Sequence, residues 1–381
     1  MRDFALEVHF SRWEFNARYH MTASDMESMT LGELVQMAGP SAGEELEKLW
    51  LGYTETWGSP DLREAIAGTY DRLSASDILC FAGAEEGIYA AMRVMLSPED
   101  HAIVSVPNYQ AAETVPLGLC AVTGVPLLED LNWRLDLDAV RAAIRPNTKL
   151  ISVNLPNNPT GALMPQADFA ALVDICREHD LYLFSDEVYR LLESEKTKRL
   201  SQVADVYEKG VSLNVMSKAY GLPGLRIGWI ASRDTMLLRK LERYKHYLSI
   251  CNSAPSERLA VMALSVRERI LTRNRTLIAE NIGKMNAFFA DYPALFDWVQ
   301  PDGGCVAYPR YKGRDGVERF CHNLLEEEGV LLLPASVYRS ELMETPVDRF
   351  RIGFGRKGID EGLTAMRAFL DRKHNSDLAT G

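Results

Sequence analysis

From residue 59 onward the chain alternates short, unbroken apolar runs with amphipathic stretches of helical period. This rhythm limits the possible folds more than any other feature of the sequence. ILCFAG (78–83), HAIVSVP (101–107), AVTGVPL (121–127), KLISVNLP (149–156), LYLFSDEVY (181–189), GVSLNVM (210–216) and LRIGWIAS (225–232) read as strands. Between them LREAIAGTYDRL, opened by Ser59-Pro60-Asp61, then EEGIYAAMRVML (85–96), DLDAVRAAI (136–144) and ADFAALVDICREHD (167–180) read as helices. Strands without a polar face must be covered on both sides, so the pattern predicts a three-layer α/β/α unit around a mostly parallel sheet. At 381 residues the chain exceeds what one core usually serves. After about residue 256 a long helical stretch precedes strands at 304–311, 329–335 and 349–355. We expect a large domain over 46–285 and a smaller α+β domain from 1–45 plus 286–381.

In open α/β sheets ligands bind beyond the carboxyl ends of the strands. The polar clusters GAEE, PNY, NLPNNPTG, SDEVY and MSK all follow, or end, a predicted strand. Five segments therefore converge on one rim.

The densest of these is SKAYGLPGLRIGW (217–229). A helix interior tolerates neither its proline nor its glycines. Lys218 and Arg226 bracket a turn-rich loop, which suits an anionic or electrophilic ligand. A lysine held among apolar neighbours loses its proton near neutrality and attacks carbonyls, although most lysines simply face solvent. Asp186 ends an apolar strand, Glu187 beside it is an equally good acid by composition, and Tyr189 can reach the same ligand. Gly83, Ala84 and Glu85 open a helix whose free N–H groups suit a phosphate, with Glu85 and Glu86 adding opposing charge. NLPNNPTG (154–161) is either a plain asparagine–proline turn or part of the same site.

In order, G-A-x-E-x-I, P-x-Y, N-N-P-T-G, D-E-x-Y, S-K-A-Y-G-L-P-G-L-R-I-G-W and R-F-R-I-G resemble the class I/II aminotransferases, fold-type I enzymes that use pyridoxal 5′-phosphate. The resemblance spans nearly the whole chain. It implies that Lys218 forms the Schiff base with the cofactor aldehyde, and that Asp186 pairs with the ring nitrogen. Asn158 and Tyr189 would donate to the ring's phenolate oxygen, and Tyr109 would stack on its face. Arg226 would hold the phosphate with the N–H groups at Gly83, Ala84 and Glu85. Tyr53, in LGYTETWG, matches a tyrosine lent to the phosphate across a homodimer interface. Arg351 matches the arginine that grips the substrate α-carboxylate, Asn158 would also bind substrate, and Arg349 falls on the opposite face of its strand. The implied activity is transfer of an amino group from an L-amino acid to a 2-oxo acid.

Two departures stand out. The family usually has a serine three residues before the lysine as a phosphate donor. Here that position is Val215, so one phosphate hydrogen bond is expected to be missing unless Ser217 or water substitutes. Glu85 is unusual at the phosphate turn and is expected to point its side chain outward. In addition, HYLSICNSAP (246–255) lacks the arginine typical of enzymes for dicarboxylic substrates. The N-terminal SRWEFNARYHMTASDMESMTLGEL is similar, more loosely, to a branch near capreomycidine synthase, whose members dehydrate and cyclise hydroxylated arginines. On that reading Glu14, Asp25 and Glu27 would accept a guanidinium and His20 would act as general acid or base. The plain alternative is a solvated helix.

Net charge is −11 with the two signs interleaved, so no basic face offers itself to nucleic acid. No helix-turn-helix precedes Tyr53, which argues against a transcriptional regulator on the same fold. The six cysteines lack metal-ligand spacing, so no metal is expected and free thiols in a reducing, cytoplasmic setting are. No apolar run approaches the ~18 residues needed to span a bilayer, and the N-terminus is too charged for a signal-peptide core.

Overall fold

The structure, a computed structural model, describes residues 1–380, with side chains to residue 373. A two-residue strand, β1 (Tyr19–His20), precedes the central sheet. That sheet contains β2 (Ile78–Phe81), β3 (His101–Val106), β4 (Ala121–Leu128), β5 (Arg134–Leu135), β6 (Thr148–Asn154), β7 (Tyr182–Asp186), β8 (Gly210–Val215) and β9 (Gly228–Ala231), in the order β2-β9-β8-β7-β6-β3-β4-β5. β8, β7, β6, β3 and β4 run parallel. β9 is antiparallel to both neighbours, and β5 is antiparallel at the edge. β3 and β8 are buried along their whole length, as two helical layers require.

Every strand read from the apolar runs between residues 78 and 232 is present. β5 was not anticipated, because two residues carry no periodicity. LRIGWIAS shortens to β9: Pro223–Leu225 form a 3-10 turn and Arg226 is left-handed (φ 51°), so pairing starts at Gly228. Helix Ala84–Met95 buries Ile88, Ala91, Met92 and Met95, one face at helical spacing.

The C-terminal third differs more. The helical stretch after 256 is two helices, Ala254–Ser265 and Arg267–Asp291, separated at Val266, and the second runs through residue 285. The run 304–311 yields Val306–Ala307 and Arg310–Tyr311 in separate small sheets, because Pro309 between them has no N–H for a ladder. The run 329–335 splits into Val330–Leu331, which pairs with β1, and Leu333–Pro334, which pairs with Phe350–Gly353.

The N-terminal segment is thereby carried across the carboxyl rim of the sheet. Met21 O accepts from Gly353 N (2.8 Å) and Glu27 N donates to Gly355 O (2.8 Å). A Cβ at Gly353 or Gly355 would collide with the carbonyl of Ala23 or Asp25. The two glycines of RFRIGFG exist for this close crossing.

Candidate active site

A cavity of about 310 Å³ opens at the carboxyl ends of β6, β7 and β8, roofed by helix Ala5–Trp13 and residues His20–Asp25. Asn154, Asp186 and Val215, the last residues of those three strands, all face into it. The rim read from the sequence is thus the rim of the site.

The loop after β8 is folded by two hydrogen bonds, Gly221 N to Lys218 O (3.1 Å) and Leu222 N to Met216 O (2.9 Å), with Gly221 at φ +66°. This holds Lys218 inward. Its Nζ donates to Ser24 Oγ (2.9 Å) and stands 5.8 Å from the Tyr189 ring centroid. Burial lowers its pKa below the usual lysine value, the condition for a nucleophilic amine.

Asp186 and Glu187 are now distinguished. Asp186 faces the cavity, and burial pushes its pKa up to about 6, opposed by the Val188 N–H and by Lys218. Asn154 fixes it from behind, donating Nδ2 to Asp186 O (3.0 Å) and accepting from Asn158 N (2.6 Å). Glu187 points to the opposite side of the strand, where Oε1 accepts from Val203 N (2.8 Å) and Ser212 Oγ (3.0 Å).

At the other end, Gly83 (φ +96°) begins helix Ala84–Met95 with no side chain capping its N–H groups. A Cβ on Gly83 would run into Arg226 Nη2, and one on Gly228 would lie 2.7 Å from Gly83 C and 2.8 Å from Ala84 N. Gly228 pairs with both Phe81 and Val215, so the helix start, the guanidinium and the end of β8 meet across glycines. Uncapped N–H groups beside an arginine, a buried amine and a buried carboxylate facing the same cavity form a donor set that fits a phosphorylated pyridine aldehyde. Ser217 and Tyr109 also line it, with Tyr109 packed on Phe4 (centroids 5.1 Å apart). Val215 lines it as well, without a polar atom.

Several expectations need correction. Glu85 does not point outward: its side chain lines the cavity near the Tyr109 hydroxyl, and desolvation raises its pKa. Tyr189 OH donates to Ser24 O (2.9 Å), because the N-terminal segment lies directly over it. Arg351 is completely buried behind Asn158, donating to Asn158 Oδ1 (3.1 Å) and Thr22 O (2.7 Å), with Nε unpartnered. Asp25 is held in a two-pronged ion pair by Arg356. Glu27 lies outside the cavity and accepts from Lys357 N (2.9 Å). His20 lines the cavity, but burial, aided by Arg356, lowers its pKa to about 4. A neutral imidazole is a base, not an acid, near pH 7. Tyr53, expected to act on a partner copy and so needing no correction, is 86% exposed and beside Cys251–Pro255, away from this chain's own cavity. Arg349 does face the other way, bonded to Glu129 and to Tyr308 O (2.8 Å).

Sequence reasoning missed Ser24, Asn154 and Arg356. Arg356 follows the recognised R-F-R-I-G motif by three residues, and a basic residue there was a usable signal. Nothing local marks Ser24, whose contacts span 194 residues.

The fold and site define a pyridoxal 5′-phosphate enzyme of fold type I. The family model for aminotransferase class I and II matches residues 29–365, and the chain belongs to that family. It is 29% identical to capreomycidine synthase of Streptomyces vinaceus, over 92% of this chain and 90% of that protein. It is 30% identical to the arginine–pyruvate transaminase of Pseudomonas aeruginosa, over 75% of this chain and 74% of that one. A crystal structure of a PLP-dependent aminotransferase from Streptococcus suis superposes with a TM-score of 0.91 at 30% identity, covering 97% of this chain and 98% of the other. Pyridoxal 5′-phosphate is the cofactor. Among the described residues no cluster could hold a metal and no helix is long and apolar enough to cross a membrane.

Proposed function

We propose that this enzyme is an aminotransferase whose donor is an L-amino acid with a cationic, guanidinium-like side chain. The charge balance of the cavity carries the reading. Glu7, Glu14, Asp25, Glu85 and Asp186 line it against Lys218, Arg226 and Arg356. Arg356 is matched by Asp25, Arg226 serves the phosphate, and Asp186 serves the ring nitrogen. Glu85 sits at the helix start beside Tyr109, which leaves Glu7 and Glu14 for the substrate space, where a cation is favoured and a second carboxylate is not. The arginine–pyruvate transaminase among the relatives supports the same substrate class.

The cofactor, when bound, withdraws electrons from Cα and so weakens the Cα–H bond. The protein does the rest. Lys218 would anchor the aldehyde carbon and, once displaced by substrate, would carry the proton on Nζ from Cα to that same carbon. Asp186 keeps the ring nitrogen protonated. Arg226 and the N–H groups of Ala84 and Glu85 hold the phosphate, with Ser217 nearby and Tyr109 against the ring. Arg351, aided by Asn158, receives the α-carboxylate, and the N-terminal segment excludes water. Tyr189, which donates to Ser24 O, would turn that hydroxyl to the ring oxygen of the cofactor. Tyr53 completes the phosphate site of a second copy in a cytoplasmic homodimer. Exposed Trp50, Leu51, Tyr247 and Ile250 around it support an interface, and six free cysteines fit a reducing compartment.

A second reading keeps the cofactor and substrate class but has a hydroxyarginine-type donor lose water and cyclise. The neutral imidazole of His20 in the substrate space favours it, since simple amino transfer needs no further base there. Incubating the loaded enzyme with L-arginine, without any acceptor, separates the two. Amino transfer predicts one equivalent of 2-oxo acid per site. No oxo acid from any donor, with hydroxyarginine dehydrated instead, would replace the first reading by the second.

A further inference from the structure

Both ring nitrogens of His20 are buried and neither has a hydrogen-bond partner. A buried polar group left unpaired is expensive, and native structures rarely leave one without a functional reason. The ring is held firmly. β1 is paired to Val330–Leu331, and the imidazole packs on Phe10 at 5.6 Å between centroids. It shares the cavity wall with Glu14, Asp25 and Arg356, and the charges of Arg356 and Asp25 act on it.

From this geometry we infer that His20 is a specificity-determining residue that accepts a hydrogen bond from a side-chain N–H of the bound amino acid. The inference rests on the cationic-donor reading above and sharpens it. An ammonium or carboxylate partner is not required. What the ring needs is a donor at the distal end of the substrate, and a guanidinium or a urea both offer one. Arg356 directs Nε and Nη2 at Asp25, both at 2.9 Å, and makes no hydrogen bond to the ring. The Arg356 charge and the burial together keep the ring unprotonated, so its lone pair is available to the ligand.

The test uses binding, read from the change in cofactor absorption on titrating the loaded enzyme, so it holds whichever reaction follows. L-Arginine, L-citrulline and L-norleucine serve as probes: cationic with N–H donors, neutral with N–H donors, and neutral with none. His20→Leu should weaken arginine and citrulline about 30-fold each while leaving norleucine within about twofold. His20→Gln, which restores a side-chain acceptor, should recover most of the loss. Thermal melting and cofactor content confirm that both variants are folded. Equal weakening of all three ligands, or of none, overturns the role of His20. Wild-type enzyme that binds norleucine as well as arginine overturns the substrate class, and this inference with it. Wild-type enzyme that prefers arginine while His20→Leu keeps the preference overturns this inference alone.

Discussion

The guanidinium of Arg226 occupies the space that a Cβ on Gly83 would need. Gly83 also sits at φ +96°, a conformation that L side chains rarely adopt. Gly83→Ala should therefore displace Arg226 from the helix start and weaken cofactor binding by at least about tenfold, in line with the loss of a charge-assisted contact. Equilibrium dialysis of the cofactor measures this. Unchanged affinity would separate Arg226 from the phosphate.

Asp186 and Glu187 are neighbours on opposite faces of one strand, and their substitutions should diverge. Asp186→Asn keeps the shape of the side chain but cannot hold a full charge opposite the ring nitrogen. It should lower kcat by about 10²–10³-fold with little change in melting temperature, by analogy with the loss of other preorganised electrostatic contacts. Glu187→Gln should leave kcat within about twofold. Steady-state kinetics on both variants checks the assignment, and the reverse pattern would exchange their roles.

Glu187 makes a separate prediction in pH. Burial raises its pKa to about 7, against the hydrogen bonds from Val203 and Ser212. A folded pKa above the unfolded one means that the native state holds the proton more tightly. This contribution is complete below about pH 4 and is lost as pH rises through 7. Its upper limit is about 3 kcal/mol. Urea unfolding of the cofactor-free protein between pH 4 and 8 should show that Glu187→Gln removes this component of the slope.

The architecture was largely legible because all-apolar strands and amphipathic helices each report their own burial. Lys218, Asp186, Asn158 and Arg226 were legible through the ordered motifs and the family they resemble; the strand ends marked the rim but left Asp186 and Glu187 undecided. What escaped depends on chain crossings. Ser24 reaches Lys218 only because residues 21–27 lie across Gly353 and Gly355. The ion pair Asp25–Arg356 spans 331 residues and could not be read from either partner's neighbours. Glu85 was misjudged because helix-start charge was weighed without the cavity that the same helix walls. Short pairings such as β1 with Val330–Leu331 leave no periodic trace.

Arg351 bonds Asn158 Oδ1 and Thr22 O while its Nε has no partner. Arg351→Leu should remove the group proposed to receive the α-carboxylate shared by all donors. kcat/KM should fall by about 10²-fold for arginine, lysine and norleucine alike. A loss confined to one donor would assign the residue to side-chain recognition instead.

Val215 offers a gain rather than a loss. It closes β8 opposite Gly228, lines the cavity, and presents only methyl groups where the family pattern usually has a serine hydroxyl. A donor at that point would face the same anion as Arg226 and the uncapped N–H groups. A hydrogen bond to a charged acceptor contributes roughly 1.5–3 kcal/mol at best, less the cost of ordering the hydroxyl. Against this, Val215 is 97% buried, being only 3% exposed, so trading its methyls for a hydroxyl removes packing worth about 1 kcal/mol. The two effects appear in different measurements. Val215→Ser should tighten cofactor binding by about three- to tenfold, while the cofactor-free protein melts a few degrees lower. If the variant binds the cofactor no better than wild type while losing that stability, then Ser217 or the helix N–H groups already satisfy the phosphate, and the valine costs the enzyme nothing.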